Sequence, residues 1–327
     1  MADPMPAPGS TSPGALADTI PRSPFHPFPA ARFHLHGLVE RGIHFTDFAG
    51  SALRGAFGHA LRRAACVTGQ PECPACPLYR RCAYPAIFQP PPPLTAHRAY
   101  SKVQPPYVIE PPAPGPLTVQ PGKEFRFGLV LIGPAIHKLP LVAGAFRHAL
   151  KDIDRGSVQL RRIVSETGAL VMDLATMETS GLPSRTLTVP PAPAQLTQAR
   201  LQFSTPFALA RNGKELPVRD ITARELLMSL VRRTAELSEV HLGQALDVDF
   251  RQLAQATAAI AIDADLRPLR FNRYSSRQHR SIAMAGSLGS ITLRGDLTPF
   301  WPFLHLGQWL HVGKKCPFGF GRYLLHC

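Results

Sequence analysis

Ten residues near the C-terminus combine two features that favour binding of an anion. Residues 313–322, GKKCPFGFGR, contain the glycines Gly313, Gly319 and Gly321 and the cations Lys314, Lys315 and Arg322. Glycines let a loop bring its backbone close to a large ligand and leave N–H groups free to hold an anion. Ammonium and guanidinium groups bind phosphate oxygens. The segment therefore predicts a phosphate-binding loop, and a tight turn with solvated charges is the alternative.

Four cysteines within seventeen residues could hold a metal ion. Cys66, Cys73, Cys76 and Cys82 are separated by six, two and five residues, with turn-forming glycine and prolines between them. Four thiols at such spacing in a reducing compartment predict a structural zinc site, and an iron–sulfur cluster fits the same thiols. A redox CxxC pair or unligated cysteines are further alternatives. Cys316 is expected to be unpaired within the glycine-rich segment.

Composition indicates a folded protein with a polyanionic partner. The 327 residues are 45% hydrophobic, which suffices for the cores of two domains. Lys and Arg exceed Asp and Glu by 36 to 22, a net charge of +14 that favours a nucleic acid. No apolar run approaches the ~18 residues of a membrane span. Residues 1–31, rich in Pro and Ala, are expected to be a disordered tail rather than a signal peptide, which favours a cytoplasmic location.

Hydrophobic patterns in the first half predict the order strand, helix, strand, strand, helix, strand. The strands are predicted at 32–40, 123–133 and 157–166, and the helices at 49–65 and 139–153. Leu53, Phe57, Leu61 and Ala64 form the apolar stripe of the first helix. The remaining strand is expected near AYSKVQPPYVIE, inside a cysteine- and proline-rich insertion that covers 66–116.

The second half repeats this order. A strand is predicted at 200–207, a helix at 222–240, an inserted helix at 248–262, a long hairpin over 268–295, a short helix at 298–308 and a last strand at 321–327. Thr222 and Glu225 form a capping box at the start of the first of these helices.

Two such units predict an α+β protein with tandem ferredoxin-like domains, each an antiparallel sheet with helices on one face. RNA-recognition modules have the same topology and bind single strands on the sheet. The N-terminal domain is predicted at 32–187, a proline-rich linker at 188–198, and the C-terminal domain with the glycine-rich loop at 199–327.

In this topology the segment GKKCPFGFGRY lies between the last helix and the last strand, where it resembles the glycine-rich loop of the RAMP superfamily (repeat-associated mysterious proteins). The stretches GSALRGAFGHALRR (50–63), the cysteine cluster, RYSSRQHRSIAMAGSLGSITLRG (273–295) and LHVGKKCPFGFGRYLL (310–325) resemble the CRISPR precursor-RNA processing endoribonucleases of that superfamily. The family loop reads Gly-hydrophobic-Gly twice. Here Gly319-Phe320-Gly321 keeps the second copy, whereas His311-Val312-Gly313 lacks one glycine of the first.

The resemblance implies binding of a CRISPR repeat RNA and its cleavage at one site without a catalytic metal. The 2′-hydroxyl beside the scissile bond attacks the phosphorus and leaves a 2′,3′-cyclic phosphate and a 5′-hydroxyl. Such a reaction needs a base, an acid and cations at the phosphorane. A non-catalytic RAMP subunit, which binds repeat or guide RNA beside other CRISPR effector subunits, is the alternative, because paralogues share fold and loop.

His59 is the leading catalytic candidate. It lies about 200° around the helical wheel from the apolar stripe, on a face that also carries Gly55, Gly58 and Arg62. Family members often carry a histidine in or near this helix. A solvent-facing histidine with no role is the alternative assignment, and His148 and His279 are competing candidates.

Five further polar residues are predicted to contact RNA, beside the cations and glycines of the C-terminal loop. They are Arg54 and Arg62 on the helix of His59, and Arg273, Arg277 and Gln278 on the predicted hairpin. Arginine forks suit phosphate, although an arginine on a surface is by default a solvated charge.

Overall fold

The computed structural model describes residues 27–94, 102–181, 186–275 and 280–327. Nearly all of the predicted N-terminal tail lies outside these residues. The first strand begins at Phe28 rather than at residue 32, because Phe28 and Pro29 pair with Leu187 and Thr186. Of the described residues, no helix is both long and apolar enough to cross a membrane.

The first domain contains a mixed set of long and short elements. In chain order they are β1 (Phe28–Arg41), β2 (Ile43–Phe45), α1 (Ala49–Ala65), α2 (Ala83–Phe88), β3 (Tyr107–Glu110), β4 (Leu117–Val119), β5 (Glu124–Ile132), α3 (Leu139–Ala149), β6 (Ser157–Ser165), β7 (Leu170–Asp173) and β8 (Thr186–Leu187). The expected strand of the cysteine-rich insertion is β3, whereas β7 is an edge strand that the sequence patterns did not predict.

The main sheet of the first domain has the strand order β3-β5-β1-β6-β7, with antiparallel pairs throughout. Side chains alternate along β1, so Phe33 and Leu35 are fully buried under the helices while His34 and His36 point to the other face. Helices α1 and α3 cover the first face, where the Phe57 and Phe146 rings stack at 4.4 Å.

The second domain contains β9 (Gln198–Phe207), β10 (Ala210–Arg211), β11 (Lys214–Glu215), α4 (Ala223–Leu237), α5 (Phe250–Ala256), β12 (Ala261–Ser275), β13 (Arg280–Arg294), α6 (Trp301–Leu310) and β14 (Tyr323–His326). Its main sheet has the antiparallel order β12-β13-β9-β14. The predicted cap is present, because the Thr222 hydroxyl accepts a hydrogen bond from the Glu225 N–H at the start of α4.

Strand order and helix placement are the same in both domains. In each, the first strand of the unit lies between the third and the fourth, and the second lies beyond the third. The predicted class, α+β with tandem ferredoxin-like domains and antiparallel sheets, is confirmed. The helix predicted at 248–262 is shorter, since α5 ends at Ala256 and residue Ala261 already pairs with Arg294 of β13.

The two domains share buried apolar surface. Val108, Val130 and Ile132, on the face of the first sheet opposite its helices, pack into the core of the second domain. A smaller cluster joins Phe48 at the start of α1 to Phe271 and Phe320, with ring centroids 5.8 and 5.4 Å away. The second domain therefore covers one end of the open face of the first sheet and leaves the other end accessible.

Candidate nucleic-acid interface

Helix α1 presents His59 to solvent, as its helical phase predicts. Leu53, Phe57 and Leu61 are buried, whereas Ala64, which the sequence placed on the same stripe, is exposed. A Cβ added at Gly55 would have no neighbouring atom within 4 Å among the described residues outside the helix backbone. Gly58 differs, because its Cβ would lie 2.3 Å from the Phe88 ring. Gly55 thus leaves the surface near His59 open, and Gly58 instead makes room for α2.

Two of the three arginines of α1 are engaged by the protein, whereas Arg63 is exposed. The guanidinium of Arg54 lies between the rings of Phe88 and Phe318, 4.3 Å from each centroid. Phe318 belongs to the C-terminal loop, so Arg54 links the two domains. Arg62 donates from Nη2 to the carbonyls of Gln70 and Pro71 and holds the cysteine-rich segment against the helix. RNA contact by either residue stays a prediction.

The glycine-rich loop packs tightly against its own protein. Gly319 has φ +93°, and a Cβ there would lie 2.6 Å from the Ile109 carbonyl oxygen of β3. Gly321 has φ +71°, and its Cβ would lie 1.9 Å from the Val312 carbonyl oxygen. Gly313 similarly approaches the Ala208 carbonyl. Glycine is needed at these positions because any side chain would clash with backbone atoms within or between the domains. This steric requirement is independent of anion binding.

The position of the missing family glycine is occupied by an unusual histidine. His311 is fully buried and has φ +60° with ψ 172°, a conformation that costs a non-glycine residue about 1–3 kcal/mol. Its Nδ1 lies 3.0 Å from the Phe320 carbonyl oxygen and its Nε2 lies 3.3 Å from Glu110 Oε1. These two hydrogen bonds therefore stabilise a backbone conformation that a glycine would adopt without strain.

The cations of the loop differ in their exposure. Lys314 donates to the Gly213 carbonyl at 3.3 Å, and Lys315 forms an ion pair with Glu215 and lies over the Phe320 ring. The Arg322 side chain is 34% exposed and faces a groove on the first domain. Arg273 lies on β12, opposite Ile282. Arg277 and Gln278 lie outside the described residues.

The groove beside Arg322 runs over the open face of the first sheet and has a volume of about 850 Å³. Lining residues come from β1, β3, β5, β6 and β7, and they include the cationic or titratable side chains His34, His36, Arg126, Arg162 and Arg322. Glu110, Glu166 and Asp173 also line it. Sequence reasoning missed this surface, because these residues are far apart in the chain and only the strand register brings them together.

Glu110 anchors the covered end of the groove. It is 2% exposed, and its carboxylate contacts Arg32 at 3.1 Å, His311 at 3.3 Å and Arg322 at 3.7 Å. Burial alone would raise the pKa of Glu110, but the His311 hydrogen bond and the two arginine charges outweigh burial and hold its pKa at about 2. The carboxylate therefore stays ionised and ties β3 to the loop of the second domain.

The four cysteines of the predicted metal site line one cavity of about 250 Å³. Burial raises the pKa of the Cys73 thiol, and the other three cysteines raise it further while Arg62 lowers it. The donor set suits a thiolate-bound ion. The side chains do not converge, however, since within the described residues no three such ligands are placed to hold one ion. Zinc thus stays a prediction.

Comparisons with known proteins agree with the fold. Residues 201–323 match the family described as CRISPR-associated endoribonuclease Cas6, and residues 28–181 match a family described as an N-terminal domain. No protein of curated function matches the chain in sequence.

Three solved structures share the fold across 91% of this chain. A partial Cas6-RT-Cas1–Cas2 complex and a Cas6-RT-Cas1–Cas2 complex each give a TM-score of 0.56 at 14% identity. The chain spans only 46% and 29% of those longer proteins. A Cas6 product complex gives 0.52 at 16% identity and is matched over 100% of its length. The second domain thus matches the Cas6 endoribonuclease family in sequence, and the whole chain shares the tandem fold of solved Cas6 structures.

Proposed function

We propose that the protein is an endoribonuclease that binds CRISPR repeat RNA and cleaves precursor crRNA. The observation that carries this proposal is the match of residues 201–323 to the Cas6 endoribonuclease family. The net charge of +14 and the open, arginine-lined face of the first sheet suit an RNA partner. Other CRISPR subunits are proposed as further partners, since two similar structures are Cas6-RT-Cas1–Cas2 assemblies.

The proposed reaction is an internal transesterification without a catalytic metal. The 2′-oxygen forms a bond to phosphorus while the bond from phosphorus to the 5′-oxygen breaks. A base accepts the 2′-hydroxyl proton, an acid gives a proton to the 5′-oxygen, and the products are a 2′,3′-cyclic phosphate and a 5′-hydroxyl. Proton transfer by positioned side chains supplies the acid and base that this reaction needs.

His59 is the proposed proton-transfer group for the cut in the repeat. It is exposed on α1, and the open surface at Gly55, one turn before it, admits a close RNA backbone. Lys314, Lys315 and Arg322 are proposed to contact RNA, together with the glycines of the loop. Of these cations, Arg322 has the most direct access, since it faces the groove of the first sheet.

The non-catalytic RAMP subunit remains the second candidate, and one observation favours it. Two of the three arginines on α1, Arg54 and Arg62, are engaged with aromatic rings and carbonyls of the protein, and of the three only Arg63 is exposed. A subunit that binds RNA without cutting it would not need free cations beside His59.

Incubation of the purified protein with end-labelled repeat RNA in EDTA separates the two candidates. The endoribonuclease cuts the repeat at a fixed position, and the 5′ fragment ends in a cyclic phosphate that acid converts to a 2′- or 3′-monophosphate. A non-catalytic subunit shifts the RNA in a gel and leaves it intact. Retained binding without any cut would therefore contradict the proposed activity.

We further propose that Cys66, Cys73, Cys76 and Cys82 hold a structural zinc ion, with an iron–sulfur cluster as the alternative for the same thiols. All four line one cavity, so a small movement of the segment can bring the donors together. Elemental analysis of protein purified without added metal should find about one zinc per chain and no visible absorption. A brown protein would favour iron and sulfur, and metal-free protein of full stability would contradict both.

A further inference from the structure

Two histidines of β1 point to the same side of the first sheet, its open face. His34 and His36 flank the inward-pointing Leu35, and both line the groove. Residues two apart on a strand lie about 7 Å apart on the same face. An acid and a base at that separation can approach a phosphate from its two sides, as in-line displacement requires.

His36 is oriented by the protein and flanked by cations. Its Nδ1 lies 2.9 Å from Glu124 Oε1, which leaves Nε2 for another partner. In the sheet register His36 stands between Arg126 of β5 and Arg162 of β6, both exposed. A carboxylate that holds one ring nitrogen fixes the orientation of the imidazole. The arrangement suits a general acid beside two phosphate-binding guanidinium groups.

His34 has the properties of a base. Burial lowers its pKa, and the charges of Arg32, His36 and Arg322 act in the same direction while Glu110 opposes them. A neutral imidazole at neutral pH can accept a proton. In the register His34 stands between Gly128 and Val164, small neighbours that leave the ring accessible from the groove. Gly128 also makes room for the Glu110 side chain, which a Cβ would meet at 2.6 Å.

We propose that the open face of the first sheet is a second RNA-cleaving centre, in which His34 and His36 transfer the protons of an internal attack. The inference rests on the proposed function, because the substrate class is RNA. His34 takes the proton of the 2′-hydroxyl as the 2′-oxygen bonds to phosphorus. His36 gives its proton to the departing 5′-oxygen. Arg126 and Arg162 bind the phosphate oxygens, and exchange of both histidines with water restores their starting forms.

This centre is separate from His59. Helix α1 covers the opposite face of the sheet, so one phosphate cannot contact both His59 and the pair on β1. An open antiparallel sheet face accommodates an extended single strand. The second centre should therefore act on unpaired RNA, whereas His59 is proposed for the cut in the repeat.

Cleavage of an unstructured, labelled RNA oligonucleotide in EDTA tests this centre. His34→Gln and His36→Gln should each lower the rate by about 100-fold or more, the usual effect of losing a positioned acid or base. Glutamine keeps a polar side chain that can bind Glu124 or RNA but transfers no proton. Affinity for the fully 2′-deoxy oligonucleotide should therefore stay at the wild-type value. His44→Gln, on the separate pair of β2 and β4, is the matched control and should cleave normally.

Several outcomes would overturn the inference. Wild-type rates in both glutamine variants would remove the pair from the chemistry, and weaker binding of the deoxy oligonucleotide in step with lost cleavage would reduce it to a binding site. If His59→Ala abolishes cleavage of repeat and unstructured RNA alike while the glutamine variants cut both, a single centre exists and the proposed function stands. A wild-type protein that cuts neither RNA contradicts both proposals.

Discussion

The two cation-rich regions of this protein are built in opposite ways. Around α1 and the glycine-rich loop, arginines and lysines are close in sequence, but Arg54, Arg62 and Lys315 bind rings, carbonyls and a carboxylate of the protein itself. On the open face of the first sheet, Arg126 and Arg162 are far apart in sequence, yet the strand register places both beside His36.

Charged residues that cluster in the sequence therefore do not reliably predict a charged, accessible surface in the fold. Close spacing in a loop between packed domains brings cations against their own backbone, where hydrogen bonds to carbonyls stabilise the loop. A sheet assembles its surface from alternate residues of several strands, so its binding groups have no local signature.

Substitution of His59 should have the largest effect, and it tests whether the α1 region is catalytic although Arg54 and Arg62 bind groups of the protein. His59→Ala should lower the rate of repeat cleavage by about two to four orders of magnitude, because a positioned acid or base is lost. Repeat affinity should barely change, since a neutral imidazole contributes little to holding a polyanion. Single-turnover cleavage measured beside a binding titration would check both. Full activity would move the assignment to another group, with His148 as the first alternative.

Glu110 lies between the two regions and contacts groups of both, so its substitution should lower the free energy of unfolding. Glu110→Gln leaves Arg32 and Arg322 facing an uncharged group, so the free energy of unfolding should fall by roughly 3 kcal/mol in denaturant titrations. Glu124→Gln, at an exposed carboxylate, should cost less than about 1 kcal/mol. Equal losses in the two variants would contradict the central role of Glu110.

The lowered pKa of Glu110 also determines how the free energy of unfolding changes with pH. The pKa of Glu110 is about 2 in the folded protein, against 4.5 as its ordinary value. Its contribution to stability is therefore complete above about pH 4.5 and is lost as the pH falls towards 2. The wild type should lose stability over this range more steeply than Glu110→Gln.

The smallest expected effect compares charge reversals in the two regions. Arg126→Glu with Arg162→Glu should weaken RNA binding and lower the slope of log affinity against log salt by about 0.7 for each lost contact with a single strand. Lys314→Glu with Lys315→Glu should change that slope less, because Lys315 pairs with Glu215 and lies over the Phe320 ring. Arg126 is exposed, and Arg162 forms only a looser ion pair with Glu124 at 3.6 Å. Salt titrations of both double variants measure the difference. A larger effect from the lysine pair would reverse the comparison between the two regions.

Much of the fold could be predicted from the sequence, because both domains repeat one order of periodic elements. The N-cap hydrogen bond of Thr222 and the apolar stripe of Leu53, Phe57 and Leu61 are local signals, and the structure confirms both. The early end of α5 depends on the pairing of Ala261 with Arg294, which is distant in sequence. The edge strand β7 has only four residues, too few for a clear alternating pattern.

The candidate site was less predictable. The sequence identified the glycines of the C-terminal loop but not that their backbones approach Ile109, Val312 and Ala208. It placed His59 correctly on the solvent side of α1, whereas His34 and His36 were not singled out within the predicted strand 32–40. Their significance depends on Glu124, Arg126 and Arg162, which only the tertiary register brings beside them.

The central claim is that the protein cuts repeat RNA by internal attack, and a single substitution in the RNA tests it most directly. The repeat with 2′-deoxy sugar immediately 5′ of the scissile phosphate should bind as well as the all-RNA repeat and resist cleavage in EDTA, because its nucleophile is missing. The all-RNA repeat should be cut at that phosphate under the same conditions. Cleavage of the deoxy repeat at that position would contradict the mechanism.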